Sequence, residues 1–134
     1  MTAREGGCQC GRVRYRIEGD PVVLAVCHCR ECQRQSGSAF GMSLIVKREA
    51  FHVTGEAKAF RRIAESGNVI DCFFCPECGV RVYHEPHAMP RTYNVKAGTL
   101  DDTSGLQPEV QVWTKSKQSW LELSDDLPAV EGQP

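Results

Sequence analysis

Eight cysteines, gathered into three tight groups, constrain this 134-residue chain more than any other feature. Cys8 and Cys10 stand in GGCQCG, while Cys27, Cys29 and Cys32 open the stretch VCHCRECQRQSGSAF. Cys72, Cys75 and Cys78 run into CPECGV. Disulfides belong to oxidising compartments, whereas closely spaced cysteines in a reducing one are metal ligands or reactive thiols. The opening residues MTAREGGCQC lack the apolar stretch of a secretory signal, and no apolar run of about 18 residues occurs. A cytoplasmic setting without membrane association is therefore expected, and the cysteines read first as a metal-binding framework.

The third group is the least ambiguous. A C-x-x-C-G turn containing Pro76 brings two sulfurs to one side, and Gly79 suits the positive φ that follows the second ligand. Tetrahedral zinc with Zn–S near 2.3 Å needs sulfurs about 3.8 Å apart, which a knuckle supplies and a straight strand does not. A redox C-x-x-C would call for a thioredoxin-like βαβ context, which this sequence lacks. Cys75 and Cys78 supply two ligands. Cys8 and Cys10 can supply the other two, because Gly6, Gly7 and Gly11 let the segment bend. Such a closed, structural four-thiolate zinc would join the N-terminus to the middle of the chain.

Cys27, Cys29, Cys32 and Cys72 remain, and spacing leaves two readings open. In one, Cys72 closes a second four-cysteine site and the chain is simply metal-stapled. In the other, Cys27, Cys29 and Cys32 hold a zinc with a free position, the mark of a catalytic site. If Cys72-Phe73-Phe74-Cys75 stays extended, Cys72 and Cys75 point to opposite faces.

Around these groups the pattern is mainly β in short strands, with turns at Gly19-Asp20-Pro21, Thr54-Gly55-Glu56 and Glu65–Asn68. Strands are predicted over Val13–Ile17, Val22–Val26, Met42–Val46, Phe51–Thr54, Ala57–Arg62, Val69–Phe74, Arg81–His84, Tyr93–Lys96 and Val110–Trp113. One short helix is predicted near residues 30–35. The length fits a single domain over 1–134, with a core over about 5–128 and an acidic tail over 124–134 lying loosely. A net charge of −1 gives no footprint for nucleic acid. Oligomeric state is not legible.

Taken in order, GGCQCGRVRY, VCHCRECQRQSGSAF, FFCPECGVRVYH, AGTLDD and SKQSWLELSDDLP resemble the glutathione-dependent formaldehyde-activating enzyme and centromere protein V domain family. The likeness spans about residues 5 to 128. It implies a β-tent fold of small sheets stapled by two zincs. By this resemblance Cys8, Cys10, Cys75 and Cys78 hold a structural zinc, while Cys27, Cys29 and Cys32 hold a second, catalytic one. Cys72 matches no ligand position of the family. The activity implied is that of a carbon–sulfur lyase joining formaldehyde to glutathione, so the partners expected are a small thiol and an aldehyde. Three thiolates leave zinc a weak Lewis acid, and stabilising a thiolate nucleophile is its better use. The centromere-associated relatives supply the alternative of a non-enzymatic, zinc-stabilised binding module.

Other residues carry weaker expectations. His28, between two ligands, should point away into a supporting or surface role. Ser36 and Gly37 can cradle a substrate carboxylate or merely end the helix. His84 and His87 suggest a surface turn, Asp101 and Asp102 a turn, and Trp113 and Trp120 packing.

Overall fold

The computed structural model describes residues 3–133. Ten strands form two sheets: β1 (Arg4–Gly7), β2 (Arg14–Ile17), β3 (Val23–Cys27), β4 (Gly41–Lys47), β5 (Phe51–Thr54), β6 (Lys58–Ile63), β7 (Val69–Phe74), β8 (Arg81–Pro86), β9 (Thr92–Lys96) and β10 (Val110–Val112). A single α-helix, α1, spans Arg30–Ser36. The smaller sheet runs β1-β2-β5 and the larger β10-β3-β4-β9-β8-β7-β6. All pairings are antiparallel except β10 with β3.

The nine predicted strands are present with boundaries shifted by two residues or fewer. The tenth, β1, was not predicted, because REGG has neither alternation nor β propensity. Pairing with β2 makes it a strand, and Gly6 lies so close to Tyr15 that an added Cβ would sit 2.4 Å from the phenolic oxygen.

Alternation along the strands divides the larger sheet into two faces. One packs on the smaller sheet. There Leu24, Leu44, Val46, Tyr83 and Val95 meet Tyr15, Ile17 and Phe51 in the buried core. Phe51 is the hub, with its ring centroid 4.9 Å from that of Tyr83 and 5.1 Å from that of Tyr93. The opposite face carries Ala25 and Cys27 on β3, Ser43 and Ile45 on β4, Asn94 and Lys96 on β9, and His84 on β8, and it lines a cavity.

The C-terminal residues expected to lie loosely instead pair with β10. Gln111 donates its N–H to Pro128 O at 2.9 Å, and Val130 returns one to Gln111 O at the same distance. The unsatisfied edge of β10 explains this, since an exposed row of backbone groups recruits whatever chain lies beside it. No described helix is long and apolar enough to cross a membrane.

Candidate functional site

The structure brings seven of the eight cysteines into two clusters. In the first, the sulfurs of Cys8, Cys10, Cys75 and Cys78 all lie within 4.8 Å of one another. Cys10 Sγ is 3.6 Å from both Cys8 Sγ and Cys75 Sγ, close to the separation tetrahedral zinc imposes. Two turns build this cluster. The Cys75–Gly79 knuckle closes with Gly79 N–H donating to Cys75 O at 2.8 Å, and Gly79 takes the expected positive φ of 80°. The Cys8–Val13 turn closes with Cys8 N–H donating to Val13 O at 3.0 Å. The donor set therefore fits a closed metal site. Against burial, the Val13 N–H and the neighbouring thiols of Cys10, Cys75 and Cys78 hold the Cys8 thiol down to about 6.

The second cluster joins Cys27, Cys29 and Cys32, again with sulfurs within 4.8 Å of one another. Cys27 ends β3, Cys29 caps α1, and Cys32 lies in the first turn of α1, its N–H donating to Cys29 Sγ at 3.3 Å. A strand end and a helix start thus aim three sulfurs at one point. Bonding to the Cys27 thiol, then to Cys32, holds Cys29 far below the ordinary thiol range. The same contacts and burial push Cys27 upward. Three soft donors converging on one point fit a metal as well as the first set does.

Cys72 does not share the geometry of either cluster. β7 stays extended through it, so Cys75 enters the core while Cys72 turns to the other face, level with His84 on β8. It is fully buried, and burial raises its thiol despite the nearby cations Arg81, Arg62 and Lys96.

The three-thiol cluster opens on a cavity of about 330 Å³ that Cys27, Cys29 and Cys32 help line. Its walls are mostly apolar, from Ala25, Ile45, Ile70, Val110, Val112 and Trp113, with Lys96, Arg62, His84 and Asn94 as polar points. A larger, open groove of about 900 Å³ lies by Arg4, Leu100 and Glu109, but no cysteine lines it. Chemistry rather than size therefore makes the smaller cavity the candidate site.

Several expectations change here. His28 is buried, the supporting rather than the surface one of its two expected places. It turns away from the sulfurs to place Nε2 2.9 Å from Gln111 Oε1. Ser36 Oγ donates back to Cys32 O at 2.7 Å, and Gly37 caps α1 in the left-handed conformation. Neither lines the cavity. His84 is buried inside β8 rather than in a surface turn, and only His87 is exposed, bonded to Asp71 at 2.9 Å. Trp113 walls the cavity and Trp120 is 69% exposed, so neither is a core residue. Lys96, Arg62 and Asn94 are the site residues the sequence reading missed. The available signal was Asn94 and Lys96 at i, i+2 in TYNVK, which reads equally as the solvent face of a strand.

Residues 3–116 match the sequence profile of the glutathione-dependent formaldehyde-activating enzyme family. The chain belongs to that family. Among its relatives, a Halomonas elongata protein is 24% identical over 125 residues, 89% of this chain and 80% of that one. A Colletotrichum graminicola protein is 26% identical over 112 residues, 81% of this chain and 58% of that one. A Penicillium rubens protein is 28% identical over 57% of this chain and 39% of its own length. All three carry the provisional name of a glutathione-dependent formaldehyde-activating enzyme. The matched region thus spans 80% of the Halomonas relative but less than two thirds of the other two. The crystal structure of a Rhodobacter sphaeroides protein superposes with a TM-score of 0.59 at 21% identity, over 78% of this chain and 91% of that one. That likeness concerns the fold.

Proposed function

We propose that the chain is a zinc-dependent enzyme of the carbon–sulfur lyase type, acting on adducts of a small thiol, such as glutathione, with an aldehyde such as formaldehyde. The observation that carries this reading is the contrast between the two cysteine clusters. One has four sulfurs and lines neither of the two cavities described above. The other has three and opens on a cavity sized for a small ligand. Two zincs per chain follow, with Cys8, Cys10, Cys75 and Cys78 holding a structural ion and Cys27, Cys29 and Cys32 a working one.

Cys27, Cys29 and Cys32 would hold the zinc, and the ion would supply the charge that stabilises a substrate thiol as thiolate near neutral pH. The protein's own residues do the rest. Cys29 and Cys32 are fixed by the first turn of α1, so their sulfurs keep one geometry as ligands exchange. Gln33 locks that turn, its Nε2 donating to His28 O at 2.8 Å and to Ser116 O at 3.0 Å. The apolar walls from Ile45, Ile70 and Val112 keep water from the reacting carbon. The alternative of a metal-stapled module with a second closed site needs Cys72 among the ligands, and its position on β7 does not favour that.

The test is turnover of S-hydroxymethylglutathione, followed by NMR exchange between the adduct and its components, in the wild type and in Cys29→Ser. The wild type should accelerate exchange and Cys29→Ser should lose that acceleration, while the metal held by the four-thiol cluster remains. Equal exchange rates in the two proteins would overturn the assignment.

A further inference from the structure

One residue at the cavity holds a backbone conformation that its type rarely adopts. Trp113 sits at φ 57°, in the left-handed region, and is the only described residue other than glycine with a positive φ. Such outliers cluster at ligand clamps, where the surrounding structure holds them in place. Here the consequence is directional. Neighbours on an extended chain face opposite sides, and Gln111 does turn away from Val110 and Val112 to bond His28. The left-handed turn at Trp113 instead lets both Val112 and Trp113 line the cavity. Two contacts fix the indole: its Nε1 donates to Gln133 Oε1 at 3.1 Å, and Lys115 Nζ lies 4.7 Å from the ring centroid. With its one donor satisfied, the indole adds no free polar group to the wall.

The register continues that surface away from the sulfurs. Val112 is level with Cys27, and Val110 is level with Ala25, two residues back along β3. Val23, two residues further back, is level with Ile45 on β4. All six residues named, Val23, Ala25, Ile45, Val110, Val112 and Trp113, line the cavity. An apolar strip thus starts beside the three thiols and runs about 13 Å, the length of four residues of strand. Ser43, in the Ala25 row, has its hydroxyl bonded to Lys96. The other polar side chains stand on strands beyond β4: Asn94 and Lys96 on β9, His84 on β8 and Arg62 on β6. A one-carbon aldehyde joined to sulfur at Cys27 would leave most of the strip wet.

We propose that this strip binds the carbon chain of the carbonyl substrate, so that the aldehyde handled here carries an apolar group of several carbons, with Trp113 as a specificity-determining residue. This rests on the lyase reading above and narrows its aldehyde. A thiol as polar as glutathione cannot lie on the strip without losing the hydration of its charges, which leaves the strip to the carbonyl side. An apolar space of about 150 Å³ takes a benzene ring, so the cavity of about 330 Å³ holds a chain of about six carbons beside the reacting sulfur. The step is an addition. A sulfur–carbon bond forms, the carbonyl π bond breaks, and the thiol proton ends on the carbonyl oxygen. Nothing is oxidised and no group leaves.

Two readouts on the full chain as purified test this. In the first, Trp120→Phe leaves Trp113 as the sole tryptophan, and its fluorescence follows binding of methanol, butanol and hexanol with no thiol present. Each added methylene should tighten binding about fourfold, the ratio that burying one methylene supplies. In the second, NMR follows exchange of the glutathione adducts of formaldehyde, butanal and hexanal, each rate taken over the spontaneous one. The hexanal adduct should gain about tenfold or more over the formaldehyde adduct. Ala25→Leu, which fills the middle of the strip, should shrink that preference. Trp113→Gly, which removes the indole and suits the positive φ, should do the same and carries the test if Ala25→Leu fails to fold. The preference is a ratio between substrates, which a general loss of folded protein would not move. Alcohol affinity flat with chain length, exchange fastest for the formaldehyde adduct, or a preference that survives both variants would each overturn the strip. Alcohol affinity that rises while no adduct exchanges removes the lyase and leaves the strip. Exchange of the formaldehyde adduct with flat alcohol affinity does the reverse.

Discussion

Stripping metal from the Cys8–Cys10–Cys75–Cys78 cluster should lower stability by an amount set by chain connectivity. Cys10 and Cys75 are 65 positions apart, so an ion shared between them closes a loop of that size in the unfolded chain as well as in the folded one. Closing such a loop restricts the unfolded ensemble by about 4 kcal/mol, since the entropy grows only with the logarithm of loop length. For a urea dependence of about 2 kcal/mol per molar, a chain of this size should lose about 2 M from its unfolding midpoint when a strong chelator is added. Cys10→Ser provides the control, because Cys10 is exposed and its replacement empties no core volume. At stoichiometric metal the variant should unfold close to the chelated wild type, and chelator should move it little further. A chelated wild type within about 1 kcal/mol of the untreated one would refute the clip. So would a Cys10→Ser protein that chelator destabilises as much as it does the wild type.

Two further outcomes concern the core. Ile17, fully buried where the smaller sheet meets the larger, should cost about 3 kcal/mol on replacement by Ala, read as a lower urea midpoint with an unchanged slope. Tyr83 is held up to about 12 from 10.0, first by burial and then by the charges of Tyr93 and Glu85. Its folded form keeps a proton the unfolded chain loses, so its contribution is complete below pH 10 and is lost as pH rises toward 12. Tyr83→Phe should therefore unfold like the wild type at pH 8 and resist urea better at pH 11, and a parallel decline of both proteins would count against it.

The grouping of the cysteines was legible within each local stretch, because ligand spacing there is local, while the fourth partner of the second group was left open. CPECG is a knuckle wherever it occurs, and Cys27, Cys29 and Cys32 lie within one strand end and one helical turn. The strands were legible for the same reason, since a period of two depends only on neighbouring residues. β1 was not legible. Its glycines carry no strand signal, and only the presence of β2 gives them partners. The pairing of residues 128–130 with β10 was hidden likewise, because an acidic, proline-bearing tail reads as loose until an open sheet edge stands beside it.

Cys72 and Lys96 mark where sequence stops and tertiary structure begins. From sequence, Cys72 could close the second cluster, since counting cysteines treats all eight alike. The β7–β8 register sets it level with His84, and its sulfur lies outside the group that Cys27, Cys29 and Cys32 form. Alternation puts Lys96 on the face opposite Val95, but it does not say whether that face meets water or a cavity. Strand curvature, α1 and the cavity rim decide that, and they turn a lysine that reads as solvent-exposed into a buried charge. Local chemistry thus determined which residues can hold metal, and the packing of distant strands determined which cluster faces a cavity.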